Sequence, residues 1–509
     1  MTDVHNKDPQ RPADTTPTAM PRAAHLGFPR EVDRLPLLVG AQRQLHQLDG
    51  VLQPLAKAFA DAGHELYLVG GSVRDALLGQ LGTDLDFTTD ARPDTVTRIL
   101  QNATKNVWDT GIEFGTVSAQ IDHWQIEITT FRSDSYDGVS RNPEVQFGDT
   151  IEEDLIRRDF TTNAIAVRLM PDGSQEFVDP LDGLSALVER VLDTPQAPEV
   201  SFHDDPLRML RACRFVSKLG FQVAPRVLDA IKDMAEQINR ITPERIQVEL
   251  DKLMLGPNPE QGIDLLCDTG LADHIFPEIP AMKIPPTRQL RHKNIYTHSL
   301  QVLRQAIEQE EPGEPDLVLR WAALLHDVGK PPTRAPKPGG GVTFYQHDLV
   351  GARMVRKRFR ALKYSNSFTR DVSQLVYLHL RIHGYGGGEW TDSAVRRYVT
   401  DAGPLLERLN MLVRADCTTG NPKKRRHLHA MVDNLEDRIA ELRQQEDLDA
   451  IRPDLDGNEI MQILDIKPGP AVGKAWDYMK QLRMEEGPME RDDAIAALKD
   501  WWEKEVTDD

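Results

Sequence analysis

Strand-like runs are confined to the first third of this chain, and nearly everything after them carries helical periodicity. Between about Pro36 and Leu187 the segments HELYLVG, DLDFTT, FGTVSAQI, WQIEITTF and EFVDP are short β-like runs mixed with helical stretches. From Ser185 onward the β signal fades. Amphipathic stretches such as DPLRMLRACRFVSKLG and PERIQVELDKLMLG take over, with Pro and Gly at their borders. This division predicts an α+β domain, a mixed sheet with helices, followed by all-α domains.

Within the first part, Leu68 to Phe87 reads LVGGSVRDALLGQLGTDLDF. A strand over Glu65 to Val69 ends at Gly70-Gly71, and Ser72 is a suitable N-cap for a helix that stops near Gly79. Glycines at such a turn let a ligand approach the backbone, and the helix start behind them favours phosphate. On the next strand Asp84 and Asp86 project to one face, Leu85 and Phe87 to the other. Paired carboxylates hold divalent cations, and two such ions about 3.5–4 Å apart clamp the attacking and leaving oxygens of phosphoryl transfer. The stretch reads as a nucleotidyl-transfer site. In QIEITTF, Ile126 and Ile128 face one way, and Glu127 is either a third carboxylate or a solvated strand position.

The 509 residues allow three or more domains, and 40% hydrophobic content is ordinary for a globular protein. Cys213, Cys267 and Cys417 are too few and too scattered for a disulfide framework or a four-cysteine zinc site, which points to a reducing cytoplasm. Residues 1–35 are polar and proline-rich and are expected to be disordered; no 18-residue apolar run predicts a membrane span. A net charge of −19 argues against nonspecific coating of nucleic acid, so any RNA must meet a local basic face.

Three further motifs accumulate in order: EEDLIRRDFTTNAIA at 152–166, VDPLDGLSAL at 178–187 and HDDPLRMLRACRF at 203–215. With the opening stretch, residues 36 to about 280 resemble the CCA-adding tRNA nucleotidyltransferase and bacterial poly(A) polymerase family. The resemblance implies a head of the DNA polymerase beta type over 36–187 and a helical neck and body over 188–285 for nucleotide selection and RNA binding. It implies that Asp84 and Asp86 hold catalytic Mg2+, that Gly70, Gly71 and Arg74 lie at the nucleotide, that Arg158 is a basic contact, and that Asp159 and Asn163 lie near the ribose. Arginine suits a triphosphate because its planar donors pair bidentately with phosphate oxygens. Asp205 and Arg208, three apart and so expected on one helical face, resemble the family's amino-acid template for the incoming base. Cytosine and adenine both present an amino donor beside a ring-nitrogen acceptor, which a carboxylate and a guanidinium match. Guanine and uracil do not, and each unpaired buried group costs about 1–3 kcal/mol. Arg211 and Arg214 continue the face as triphosphate contacts or as a plain basic surface. Asp204 stands where many family members carry Glu.

The helical second half contains YTHSLQVL, ALLHDVGKPP, YQHDLVGA, YLHLRIHG and VRADCTTG. His298, His326-Asp327 and Asp416 resemble the ligands of the HD phosphohydrolase family, and His347 with His379 would complete a second metal position. Imidazole and carboxylate ligands suit Mn, Fe, Ni, Zn or Mg at a phosphoester-cleaving site. The HD domain is expected over 286–440, bounded near the proline-rich IPPTR, and a helical region with an acidic tail over 441–509. KPPTRAPKPGGG reads as a loop, and NPKKRRHLH as either an RNA-facing patch or a solvated basic turn.

The expected activity is cytoplasmic, template-independent, Mg2+-dependent addition of C, C and A to tRNA 3′ ends from CTP and ATP, with no membrane or DNA partner. The alternatives are a poly(A) polymerase, a partial C- or A-adding enzyme, or a phosphohydrolase or nucleotide sensor led by the HD half. Intact Asp84, Asp86, Asp205 and Arg208 speak against the last.

Overall fold

The computed structural model describes residues 31–133, 146–284, 294–337, 341–382, 390–419, 421–448 and 451–508. Most of the segment expected to be disordered, 1–30, lies outside them, as does the IPPTR boundary beyond Ile284. Helix α1 (Glu31–His46) already begins before the expected head start at Pro36. The chain divides into two compact units, 1–195 and 196–509.

In the first unit α1 and α2 (Asp49–Asp61) precede β1 (Leu66–Val69), α3 (Gly70–Leu77), β2 (Asp84–Thr89), α4 (Pro93–Ala103), β3 (Val107–Gly111), β4 (Thr116–Ile121) and β5 (Trp124–Thr130). A short ribbon of β6 (Arg132–Ser133) and β7 (Gln146–Phe147), then α5 (Ile151–Ile156), β8 (Ala166–Leu169), β9 (Gln175–Val178) and α6 (Gly183–Glu189) complete it. Seven strands form one mixed sheet in the order β3-β4-β5-β2-β1-β8-β9. Its neighbours are antiparallel except β2 and β5, whose parallel register sets Asp86 opposite Glu127. The all-buried LYLV of β1 explains its place inside the sheet. Leu85, Phe87, Ile126 and Ile128 are at most 1% exposed. Because Leu68 pairs with Phe87, alternation puts Asp86 on the face of Tyr67 and Val69, which pack against Phe131, Ile151 and Leu155.

The expected head boundary at residue 187 is corrected: it falls inside α6, and the first unit continues to Pro195. Helix α6 belongs with the sheet because Gly183 lies so close to the chain that a Cβ there would meet the Thr161 carbonyl at 2.3 Å. No strand-period pattern marks such a contact.

The second unit is helical apart from short strand pairings. It contains α7 (Pro198–Asp204), α8 (Leu207–Leu219), α9 (Pro225–Met234), α10 (Pro243–Met254), α11 (Pro259–Asp268) and α12 (Leu271–Ile275). These are followed by α13 (Ile295–Ile307), α14 (Leu317–Leu325), α15 (Lys330–Thr333), α16 (His347–Ala361), α17 (Asn366–Leu378), α18 (Asp392–Ala402), α19 (Leu406–Ala415) and α20 (Pro422–Gln445). Helix α20 runs through the boundary expected at 440. Beyond it α21 (Gly457–Leu464), α22 (Pro470–Glu486) and α23 (Arg491–Asp508) enclose their own cluster, which includes Leu455, Ile460, Met479 and Leu498. Part of the loop expected over 330–341 is instead the turn α15 and a strand, 334–336, paired with 342–344; residues 338–340 lie outside the description.

Helix α14 is buried throughout Leu319–Leu325. Its one cation, Arg320, donates to both Glu310 oxygens and to the carbonyls of Met254 and Gly256. Arg320 thereby ties α14 to the end of α10. Among the described residues no helix is long and apolar enough to cross a membrane.

Glycine fixes another approach. A Cβ at Gly329 would lie 2.0 Å from the His347 carbonyl oxygen and 2.6 Å from Gly351 N, both backbone atoms that cannot swing aside. Gly329→Ala is therefore expected to lower the unfolding free energy of the second unit by about 3 kcal/mol, the upper part of the overpacking range. Gly473→Ala, in helix α22 with nothing within 4 Å of the new methyl, should stabilise by up to about 1 kcal/mol. Denaturant melts of the full chain followed by circular dichroism check both signs.

Candidate active sites

At the head, Gly70 has φ +67°, which lets the chain leave β1 and enter α3 at once. The helix therefore starts at Gly70, with Val69 at its N-cap position, and Ser72 is corrected from N-cap to a first-turn residue. Its hydroxyl donates to the Asp84 carbonyl and accepts from Asp86 N, at 3.2 and 2.9 Å. Ser72 thus pins the turn to the backbone between the two aspartates.

The side chains converge on that turn. A Cβ on Gly70 would meet Arg158 Nη1 at 2.9 Å and Asp86 Oδ2 at 3.8 Å; one on Gly71 would meet Arg74 Nη2 at 3.6 Å and Asp86 Oδ2 at 3.9 Å. Arg158 is held by Asp154 at 2.8 Å. Arg74 is buried, and it donates to Asp75 and to the Asn163 side-chain oxygen, while Asn163 donates to Asp159. Asp84 is exposed at the strand start, and Glu127 projects from β5 beside Asp86. Burial, then Glu127 and Asp84, push the Asp86 carboxyl up to about 6, against the opposing pull of Arg158 and Arg74. Three carboxylates with an unmet demand for positive charge fit a divalent cation.

In the second unit the expected helical pairing of Asp205 with Arg208 is corrected. Asp205 lies between α7 and α8 with extended backbone, φ −138°. Pro206 stops α7 from continuing, and α8 begins at Leu207. Asp205 Oδ1 accepts from Leu207 N at 3.2 Å, its carbonyl accepts from Arg208 N, and its Oδ2 pairs with Arg245 at 2.8 Å. Arg208 donates to Ser201 Oγ at 2.8 Å. Farther along α8, Arg214 donates to both oxygens of buried Glu249 at 3.0 Å, and Arg211 approaches the same carboxylate at 3.6 Å.

The HD residues come together as two adjoining groups that could each hold a metal: His298, His326 and Asp416; and Asp327, His347 and His379. His298 Nε2 stands 3.2 Å from His326 Nε2, 3.0 Å from Asp416 and 3.5 Å from Asp327. Asp327 reaches both groups, since its Oδ1 is 3.4 Å from His347 Nε2 and 3.8 Å from His379 Nε2. His326, His347 and His379 each donate Nδ1–H to a carbonyl, of Ala323, Phe344 and Val376, leaving Nε2 as the lone-pair atom. Asp327 Oδ1, His347 Nε2 and His379 Nε2 are buried without a hydrogen-bond partner. This donor set fits a metal pair.

Burial alone would raise the Asp327 carboxyl, but His326, His347 and Lys330 hold it well below the usual carboxylate range. Burial and the neighbouring His326 push His379 down to about 4. Lys330, 2.6 Å from Asp327, was not singled out by sequence, although its i,i+3 spacing from Asp327 was available. Asp154 was available in the same way, at i,i+4 from Arg158, whereas Arg245 and Glu249 pair with Asp205 and Arg214 through packing of separate segments, which local spacing does not reveal.

Residues 66–193 match the family model described as the poly A polymerase head domain, 220–282 that of a probable RNA- and SrmB-binding site of polymerase A, and 295–441 the HD domain. The CCA-adding enzyme of Levilactobacillus brevis is 44% identical over 221 residues, 43% of this chain and 53% of that one, so the match spans about half of that relative's length. The chain also resembles the Bacillus stearothermophilus CCA-adding enzyme, solved in complex with CTP, with TM-score 0.67 and 24% identity over 91% of this chain and 99% of the other, a likeness of fold. The CCA-adding enzyme of Enterococcus faecalis is 30% identical over 358 residues, 70% of this chain and 76% of its own length. On this extended match the chain belongs to the CCA-adding enzyme family.

Proposed function

We propose that the head and neck add C, C and A to tRNA 3′ ends from CTP and ATP in the cytoplasm. The observation that carries this reading is the convergence of Asp86, Arg74 and Arg158 on the Gly70–Gly71 turn, with Asp84 and Glu127 alongside. In each step the tRNA 3′ oxygen bonds to the nucleotide α-phosphorus, the bond to the β-phosphate side breaks, pyrophosphate departs and the hydroxyl proton is released. Asp84 and Asp86, with Glu127 as a further ligand, would hold Mg2+, which would supply charge stabilisation for phosphoryl transfer. The glycine turn leaves phosphates room against the backbone, and Arg158, oriented by Asp154, offers a fixed guanidinium beside it. Arg74 anchors Asn163, which orders Asp159 toward a ribose.

Base choice rests on Asp205 and Arg208. Arg245 and Ser201 orient these two groups, so little reorganisation is needed when a cytosine or adenine edge arrives. Arg211 and Arg214 neutralise triphosphate, and Glu249 positions both.

The geometry of the histidine pocket favours a second, metal-dependent phosphohydrolase activity in the HD half. His298, His326 and Asp416, with Asp327, His347 and His379, would hold divalent ions, which would supply Lewis-acid chemistry at a phosphoester. Asp327 links the two ligand groups, the carbonyl-bonded histidines present fixed lone pairs, and Lys330 faces the shared carboxylate.

Asp84→Ala and Asp86→Ala are each expected to abolish nucleotide addition to tRNA lacking CCA, while Mn2+ binding at the histidine pocket persists. Asp327→Asn should do the reverse, removing that binding in calorimetric titrations and sparing addition.

Asp86 also links the site to stability. Its folded pKa, about 6, exceeds the ordinary 3.8, so ionising it costs native stability fully above pH 6 and not at all below the unfolded value. Asp86→Asn should therefore stabilise the metal-free protein by up to about 3 kcal/mol at pH 7.5, a gain that fades as pH falls through 6 toward 4. Melts at several pH values in chelator check the sign.

Arg208→Ala should weaken CTP and ATP use by about 5- to 150-fold, from one lost hydrogen bond of about 1–3 kcal/mol, and relax rejection of UTP. Arg211→Ala should weaken all four nucleotides alike. Measured kcat/KM on primers ending before C and before A separates the two, and also distinguishes full CCA addition from partial addition or poly(A) synthesis.

A further inference from the structure

We propose that single-stranded RNA docks across the mouth of the histidine pocket, gripped by the exposed first turns of α20 and by Tyr345. The inference rests on the phosphohydrolase reading of that pocket and names the substrate class it receives.

The first observation is a cation cluster that the fold does not need. Lys423, Lys424, Arg425 and Arg426 are all exposed, and among the described residues none is recorded in an ion pair. They occupy the start of α20, where the helix dipole disfavours positive charge. The buried stripe of this helix, Val432, Leu435, Ile439 and Leu442, begins only after them. In a chain of net charge −19, four adjacent cations placed against a dipole, and outside the packed part of their helix, are best matched by a polyanion.

The second observation is where this cluster is tethered. Asp416 approaches His298, and Thr418 Oγ1 lies 3.0 Å from the other nitrogen of the same ring. Asn421 N donates to Thr419, and the Asn421 side chain caps α20 by accepting from Lys423 N and Lys424 N. Five residues of chain reach at most about 18 Å, so the basic turn starts close to the pocket.

A third observation comes from the chain that enters the pocket from another element. His347 donates to the Phe344 carbonyl, and between them stands Tyr345, 76% exposed. Arg334, on the strand pairing that precedes it, and Lys337, just beyond that strand, are exposed as well. Two residues span at most about 7 Å, so an unburied aromatic ring belongs to the pocket rim. Cations that track a backbone, combined with an aromatic surface for a base, are the requirements of single-stranded nucleic acid. A duplex keeps its base faces stacked and gives the tyrosine no role. RNA is the choice because the chain belongs to a family whose members act on tRNA ends.

The test uses the full-length protein, Mn2+, p-nitrophenyl phosphate as a small substrate and an unlabelled eight-nucleotide RNA as competitor. The RNA is expected to inhibit hydrolysis in a salt-sensitive manner. Reversing the cluster, Lys423→Glu with Lys424→Glu, Arg425→Glu and Arg426→Glu, should raise the inhibition constant at least tenfold and flatten its log–log salt slope by about 3, at roughly 0.7 per phosphate contact. Acidic residues suit a helix start, so the reversed helix should remain folded. Tyr345→Ala should raise the constant about tenfold from lost stacking. An unchanged constant in the reversed protein, or a wild type that hydrolyses the small ester without RNA inhibition, overturns the proposal and leaves the phosphohydrolase reading standing. If no phosphoester is hydrolysed with any divalent ion, that reading fails. Anisotropy of the labelled RNA then decides docking alone, with equal affinity for both proteins as the overturning result. Loss of binding to phosphatidylserine vesicles with RNA affinity intact would assign the turn to a membrane surface, and would also overturn it.

Discussion

A carboxylate taken out of water must be matched by positive charge, and both candidate centres are organised around one that is. Asp86 and Asp327 solve the problem in opposite ways. Around Asp86, burial reinforced by Glu127 and Asp84 outweighs the pull of Arg158 and Arg74, so its proton is held unusually tightly. Around Asp327, imidazoles and Lys330 outweigh burial, so its proton is lost unusually easily. The first arrangement leaves a charge deficit that an incoming cation fills, which suits metal arriving with a nucleotide. The second surrounds its carboxylate with neutralisable nitrogen donors, which suits metal that resides in the protein.

Each carboxylate is placed by backbone contacts rather than by side-chain propensity. Ser72 joins the glycine turn to β2 through main-chain atoms on either side of Leu85, so the spacing of the aspartates and the turn is set by one hydroxyl. In the HD half, Gly329 lets the chain after Asp327 touch the backbone at the start of α16, which brings His347 within reach of Asp327. Precision of this kind requires rigid placement: Gly329 follows Asp327 by two residues, and the Gly70–Gly71 turn is brought against Asp86 by the fold.

The legible parts of the sequence were those governed by local periodicity. Alternation along DLDFTT and QIEITTF located Asp84, Asp86 and Glu127, and the parallel register that sets Glu127 against Asp86 then followed from folding. The histidines were legible as a set, although nothing in their spacing showed that Asp327 would stand between the two groups. Where backbone punctuation competes with periodicity, the sequence misleads. Pro206 breaks the helix that three-residue spacing suggested, so Asp205 meets its partners from an extended segment. Gly70 starts the helix two residues before its apparent cap. The partners that hold site residues, Arg245 for Asp205 and Glu249 for Arg214, come from α10, and only the packing of α8 against α10 brings them near.

The arginines nearest the candidate nucleotide positions are seldom free. Arg158 is paired with Asp154, Arg74 with Asp75 and Asn163, Arg214 with Glu249. An arginine already paired is pre-oriented, so less conformational entropy is lost when phosphate arrives, but its field is partly cancelled until then. Such sites attract polyanions weakly at a distance and bind them well only when the geometry is right. In an acidic chain this favours discrimination over capture. For the tRNA-end addition proposed above, weak long-range attraction is an advantage, because tight nonspecific hold on phosphate would slow release of a completed end without improving the transition state.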